Sequence, residues 1–134
     1  MPCVLCDDRD SAGEVILDFG EWSLLLHPDS AVRGHAMLVL RRHVENFSGL
    51  SDSEAQQFAR VAKVCERALL EATATDRAVL LKLGIATPHL HIHIYPVPRT
   101  ATREEVQRVI DGKVSEPRAS GFAALVRERI LRLT

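Results

Sequence analysis

The chain has 134 residues, 46% of them hydrophobic, enough for one domain with a sizeable core and too few for two ordinary ones. Charged residues make up 26% and the formal net charge is -1, which argues against a surface that wraps DNA or RNA. No apolar run approaches the ~18 residues of a membrane span, and "MPCVLCDDRD" lacks the basic-then-apolar pattern of a secretory signal. A cytoplasmic protein with reduced thiols is the expectation, and three cysteines in such a chain argue against a disulfide framework.

In chain order, "EVILDFGEWSLLLH" predicts two short strands, 14–19 and 22–27, joined at Gly20-Glu21. "PDSAVRG" (28–34) is a loop. "HAMLVLRRH" (35–43) is a third strand, and its continuous apolar middle predicts burial on both faces. The main helix is expected over about 51–73. Ser51 or Ser53 is a good N-cap, with Glu54 three residues after Ser51 as in a capping box. Phe58, Val61, Cys65, Ala68, Leu69 and Ala72 then recur at helical spacing. Cys65 sits on this stripe and reads as core filling. "RAVLLKLG" (77–84) is a fourth strand and "HLHIHIYPV" (89–97) a fifth. A polar helix ending at Gly112 and a C-terminal helix with Phe122, Leu125, Val126, Ile130 and Leu133 on its apolar side complete the chain. There is no repeat and no low-complexity segment. The prediction is a single α+β domain over 1–134, with a five-stranded antiparallel sheet, one main helix and a C-terminal helical extension from about 102.

Half of the six histidines fall in "HLHIHIYP". Successive side chains on a strand point to opposite faces, so His89, His91 and His93 share one face. Leu90, Ile92 and Ile94 share the other and face the core. Neighbouring histidines lie ~6.6 Å apart, two residues at ~3.3 Å each. That spacing is awkward for three ligands of one zinc, each needing a nitrogen ~2.1 Å from the metal. The geometry therefore favours splitting them, one end to a metal and the others to a ligand. The bland alternative is a solvated strand face, but such faces ordinarily use Thr, Lys and Glu. Imidazole is chosen for titration, nucleophilicity or metal binding.

Cys3 and Cys6 form C-x2-C, a spacing that holds zinc on a tight turn. A redox pair or two buried thiols are the other readings. A redox pair belongs at the start of a helix in a βαβ unit, which "VLCDDRDSAGE" does not resemble. A closed site needs four ligands, and His43 after strand three and His89 at the start of strand five are candidates for the other two.

"HLHIHIYP" resembles the His-x-His-x-His-x-x-Pro signature of the histidine triad (HIT) superfamily. "GHAMLVLRRH" is similar to that family's preceding segment of Gly-His, an apolar strand, a basic pair and His. "CVLC" is similar to the zinc-binding turn of its bacterial members. The match in order and spacing runs from residue 3 to about 99, roughly three quarters of the chain.

The resemblance implies a nucleotide-binding hydrolase or transferase. It would cleave nucleoside monophosphates from phosphoramidates, dinucleoside polyphosphates or related esters. The middle histidine, His91, would attack the α-phosphorus and form a nucleotidyl-histidine. His93 would contact phosphate oxygens, and His35 would line the same site. A structural zinc would take Cys3, Cys6, His43 and His89. Relatives pair two sheets edge to edge, so a homodimer is expected, with an AMP-like nucleotide as ligand and no nucleic acid or membrane partner.

This chain departs from the family pattern in places. His27 stands where many relatives carry an acidic residue that holds the ribose. "KLGIATPHLH" offers Lys82 and Ile85 where amides or hydroxyls are usual, and Lys82 could supply charge to a phosphate. Arg41-Arg42 replaces the usual Pro-Lys. Arg99 is a further candidate phosphate ligand through its guanidinium fork. An enzyme acting through His91, a nucleotide-binding module with little turnover, and a zinc-stabilised interaction protein are the three readings to separate.

Overall fold

The computed structural model describes residues 3–28, 32–112 and 120–134. One sheet organises them, made of β1 (Glu14–Asp18), β2 (Trp22–Leu26), β3 (Ala36–Leu40), β4 (Arg77–Leu81) and β5 (His91–Val97). The strand order is β1-β2-β3-β5-β4 and every neighbouring pair is antiparallel. The α+β architecture with a five-stranded antiparallel sheet is thus the observed one.

The strands are shorter than their apolar runs suggested. β3 was expected to reach His43 and stops at Leu40. Beyond it Arg41 and Arg42 swing to ion pairs with Asp18 (3.7 Å) and Glu54 (2.8 Å). β4 was expected to reach Gly84 and stops at Leu81, and the chain then turns with Gly84 at φ +67°. β5 was expected from His89 and begins at His91. His89 and Leu90 still run alongside the sheet, because Leu90 N–H donates to the Val44 carbonyl (2.7 Å) and Leu40 N–H to the Leu90 carbonyl (3.2 Å). The expected loop at 28–34 lies partly outside the described residues.

The main helix, α3 (Asp52–Thr73), begins where the capping box predicts. The Glu54 N–H donates to Ser51 Oγ (3.1 Å) and the Ser51 N–H to Glu54 Oε1 (2.7 Å), satisfying two donors that a helix start leaves free. Its stripe of Val61, Cys65, Ala68 and Leu69 is buried against the sheet. Trp22 Nε1–H donates to the Glu54 carbonyl at 2.9 Å and ties β2 to the first turn of α3. The last helix, α5 (Phe122–Leu133), enters the same core through Phe122, Ala123, Val126 and Ile130. Arg127 donates to the Ile16 carbonyl at 2.7 Å, where the β1–β2 register slips between Val15 and Leu17. A bulge frees a ladder carbonyl, and this guanidinium satisfies it. The C-terminal helix, which carries no motif, therefore closes the core.

Leu24, Leu38, Leu90, Ile92 and Ile94 point to the α3/α5 side. The opposite face is only partly covered. Leu5 packs there on Leu25, Met37 and Val39, and Val109 packs on Tyr95 and Val97. Leu5 comes from a helical turn, α1 (Val4–Asp7), followed by a second, α2 (Arg9–Ala12). Neither was expected, since a single turn has no periodicity to read. Val109 comes from α4 (Arg103–Ile110). Between these two patches the face carries the histidines. No helix among the described residues is long and apolar enough to cross a membrane.

Candidate functional site

The two ends of the histidine strand do different things. At its start, Cys3, Cys6, His43 and His89 converge, with their ligand atoms all within 4.8 Å of one another. His89 Nδ1 lies 3.4 Å from Cys3 Sγ and 3.3 Å from Cys6 Sγ, and His43 Nδ1 lies 3.2 Å from both Cys6 Sγ and His89 Nδ1. A tetrahedral zinc with Zn–S of ~2.3 Å and Zn–N of ~2.1 Å has ligand-to-ligand edges of about 3.4–3.8 Å. The four residues fit such an ion. His89 is also in the right tautomer. Its Nε2 lies 2.6 Å from the Leu40 carbonyl, which only accepts, so the proton sits on Nε2 and Nδ1 is bare. The cluster can bind a metal, and it joins the N-terminal turn to the ends of β3 and β5.

Past His89 the strand serves a cavity of about 370 Å³. Its polar lining is His27, His91, His93 and Thr87, and its apolar lining includes Val4, Leu5, Met37 and Ile85. His91 Nδ1 lies 2.6 Å from the His89 carbonyl, so it too must donate, and in the neutral ring Nε2 is then the bare nitrogen. His93 Nδ1 pairs with His35 Nε2 at 2.9 Å. His35 is 3% exposed, and its Nδ1 has no partner among the described residues. An orphaned N–H is rarer than an orphaned acceptor. The His35 proton is therefore assigned to Nε2, donating to His93, and His93 then carries its own proton on Nε2.

The sheet explains this placement. His91 pairs across with Val39, and His93 with Met37. His35 enters just before β3, and its carbonyl accepts from the His27 N–H at 2.9 Å, at the end of β2. Its ring is stacked between His27 (centroids 4.3 Å, 11°) and Tyr95 (4.1 Å, 24°). Gly34 is required beside it. The φ of +84° belongs to the left-handed region, and a Cβ there would meet Thr73 Cγ2 at 2.6 Å.

His27, His35 and His93 form a second group with ligand atoms within 4.8 Å. We do not read it as a metal site. Imidazole binds an ion in its own plane, and the near-parallel, stacked rings of His27 and His35 cannot both aim at one point. The His35–His93 contact of 2.9 Å is a hydrogen bond, shorter than a ligand edge.

Burial pushes His35 down to about 2, with His27 and His93 adding to the effect. Burial likewise pushes His93 down to about 4, helped by His91 and His27. Both are neutral in the folded chain at pH 7, whereas unfolded histidine protonates near ~6.5. Below that pH the unfolded chain binds more protons, so folding stability falls as pH drops. It is complete above ~6.5 and declines from there towards about 4, where His93 takes up its proton. The melting temperature should fall through this window. His35→Asn should fall less steeply, and an unchanged slope in that variant would refute the assignment.

Two expected site residues are not brought to the cavity. Lys82 Nζ donates to Asn46 Oδ1 at 2.8 Å, and Arg99 pairs with Asp76 through its N–H (2.6 Å) and its Nε (3.3 Å). Leu81 pairs with His93 and shares its face, so a continued strand would turn Lys82 to the other side. Arg99 lies past the end of β5. Patterning identified basic residues near the motif and not their directions. Conversely, it missed Val4, Leu5 and Met37 as cavity lining. The one available signal was the apolar pair inside C-x2-C.

The HIT domain family model matches residues 8–100. A hypothetical histidine triad nucleotide-binding protein from Sulfolobus tokodaii has a TM-score of 0.71 at 19% identity, over 98% of this chain and 93% of that one. A histidine triad protein from Sinorhizobium meliloti gives 0.71 at 17% identity, covering 94% and 93%. A zinc-bound histidine triad family protein from Mycobacterium smegmatis gives 0.69 at 19% identity, covering 99% and 96%. At such identities the likeness is one of fold.

Proposed function

As the chain belongs to the HIT family, we propose that it is a nucleotidyl hydrolase or transferase acting through His91. The observation that carries this is the tautomer of His91. Its Nδ1–H is held by the His89 carbonyl at 2.6 Å, and its bare Nε2 belongs to a residue lining the cavity. A neutral, oriented imidazole is the form able to attack phosphorus. In the reaction, the His91 Nε2–P bond forms as the bond from phosphorus to the leaving group breaks. Water or another acceptor then breaks the N–P bond and restores His91. His93, whose proton is on Nε2, donates to a phosphate oxygen. His35 keeps that proton in place by donating to His93 Nδ1. His27 lines the sugar side of the pocket.

Zinc is the metal we assign to Cys3, Cys6, His43 and His89, because two thiolates and two imidazoles in a closed set suit it. When bound it supplies rigidity and no reaction step. The zinc-bound M. smegmatis relative supports this choice.

The test is release of AMP from an adenosine phosphoramidate by the purified, zinc-replete protein. Binding of AMP without such release would favour the second reading, a nucleotide-binding module with little turnover. That reading draws support from Lys82 and Arg99, whose charges are engaged away from the cavity. Absence of both binding and release would sink both.

A homodimer is also proposed. β4 is an edge strand, and an unpaired edge is a template for a second chain. Leu80 on it is 42% exposed and Leu83 just beyond is 50% exposed, more than an isolated chain gains from showing. Light scattering at micromolar concentration should give twice 14.9 kDa, and a 14.9 kDa particle would overturn the dimer.

A further inference from the structure

We infer that metal affinity and nucleotide affinity are coupled through the turn that carries Val4 and Leu5, the two residues between the metal-binding cysteines. This rests on the nucleotide-binding reading above.

Val4 and Leu5 line the same cavity as His91 and His93. Val4 also lines the groove of about 930 Å³ that holds Cys3, Cys6 and His43. With Ala86 and Thr87, which line both spaces, it is the partition between metal centre and cavity. Leu5 is 4% exposed and seats the turn on Leu25, Met37 and Val39. The wall is thus one side of a four-residue helical turn, Val4–Asp7, with one thiol ligand, Cys3, at its N-cap and the other, Cys6, within it.

That turn has little to hold it on its own. An isolated helix so short is far below the length that is stable in water. Cys3, at its N-cap, makes no side-chain capping bond. Its tethers include the Leu5 contacts, the metal ligands, and Arg9, which donates to the buried Ser23 Oγ at 2.7 Å and pairs with Asp18 at 3.8 Å. A metal spanning Cys3, Cys6, His43 and His89 locks the wall to β3 and β5. A nucleotide pressed against Val4 and Leu5 holds the same wall from the other side. Each ligand then finds the wall already ordered by the other, which is positive coupling. Coupling of this kind is reciprocal by thermodynamic necessity.

The experiment is a competition titration of the zinc-loaded full chain against a chromogenic chelator, with and without saturating AMP. AMP binding is measured by calorimetry on the same sample. AMP should tighten zinc binding by about fivefold or more, within the usual range of allosteric coupling. Leu5→Ala and Val4→Ala should still bind one zinc per chain and should lose this effect. Val4 is 42% exposed, so its truncation leaves folding intact if Leu5→Ala does not. The inference is overturned if AMP binds while zinc affinity stays unchanged, or if Val4→Ala keeps the full effect. If AMP does not bind the loaded wild-type chain at all, the nucleotide reading itself falls and takes the inference with it. Chelation of zinc by AMP in solution would act alike on wild type and variants, so the difference between them is the decisive readout.

Discussion

His91→Ala is expected to abolish AMP release while leaving melting temperature and zinc content near wild type. His91 is half-buried at the cavity and belongs neither to the main core nor to the metal cluster. Its removal leaves no large void, and no other imidazole near it is set up alike. His93 has its Nδ1 bonded to His35 and carries its proton on the remaining nitrogen, so it donates where His91 attacks. Loss of a covalent nucleophile is not made good by binding energy, and kcat should fall on the order of a thousandfold or more. His93→Ala should act differently, weakening phosphate contacts and so lowering both AMP affinity and rate. It also strips the partner from His35 Nε2, a buried donor, and should lower stability modestly. His89→Ala should lose zinc and stability first. Three neighbours on one strand face should therefore give three phenotypes in AMP release, zinc content and melting temperature. Near-wild-type turnover in His91→Ala would refute the assignment, and so would zinc content that follows His91 and not His89.

Loss of the metal should have the second large effect, and a localised one. The protein purified without chelator should carry one zinc per chain, and Cys3→Ala should bind it far more weakly. None of the four ligands belongs to the main core, which lies between the sheet and α3 and α5. The chain should therefore stay folded without metal, unlike small zinc domains whose whole folding energy is the ion. The segment 3–12 should come away from the sheet, exposing Leu25, Met37 and Val39. A fall in melting temperature of roughly 10 °C or more is expected, the size that a few kcal/mol gives in a chain of this length. Helix content by circular dichroism should change little, because α1 and α2 hold four residues each. Zinc content unaffected by Cys3→Ala would remove the proposed site. Global unfolding on chelation would show instead that the N-terminal turn is integral to the core.

Much of this molecule was legible as local pattern. Ser51 and Glu54 lie three apart, and the helix they cap starts between them, because a capping box is closed by neighbours in sequence. The alternation of Leu90, Ile92 and Ile94 with the histidines became the two faces of β5, because the pleat has a period of two. The C-terminal helix was legible from its apolar stripe, and its task of closing the core was not. That depends on Phe122 and Ile130 meeting residues from the far end of the chain.

The sequence by itself determined which residue types were at hand: a C-x2-C pair, three alternating histidines, and a glycine before His35. The approach of Cys3 to His89 spans 86 positions, and the bond from His35 to His93 spans 58. The antiparallel pairing of β3 and β5 closes the second distance, and the seating of Leu5 on Leu25, Met37 and Val39 brings the turn that carries Cys3 to His89. Tertiary structure also decided direction. Lys82, a plausible phosphate ligand by position, turns to Asn46 because a side chain one place beyond Leu81 faces the other way, and Arg99, past the end of β5, pairs with Asp76. The same packing made a cavity wall of Val4 and Leu5, two residues with no reactive group. Their role arises from where the metal-binding turn sits on the sheet, and no local pattern encodes that position.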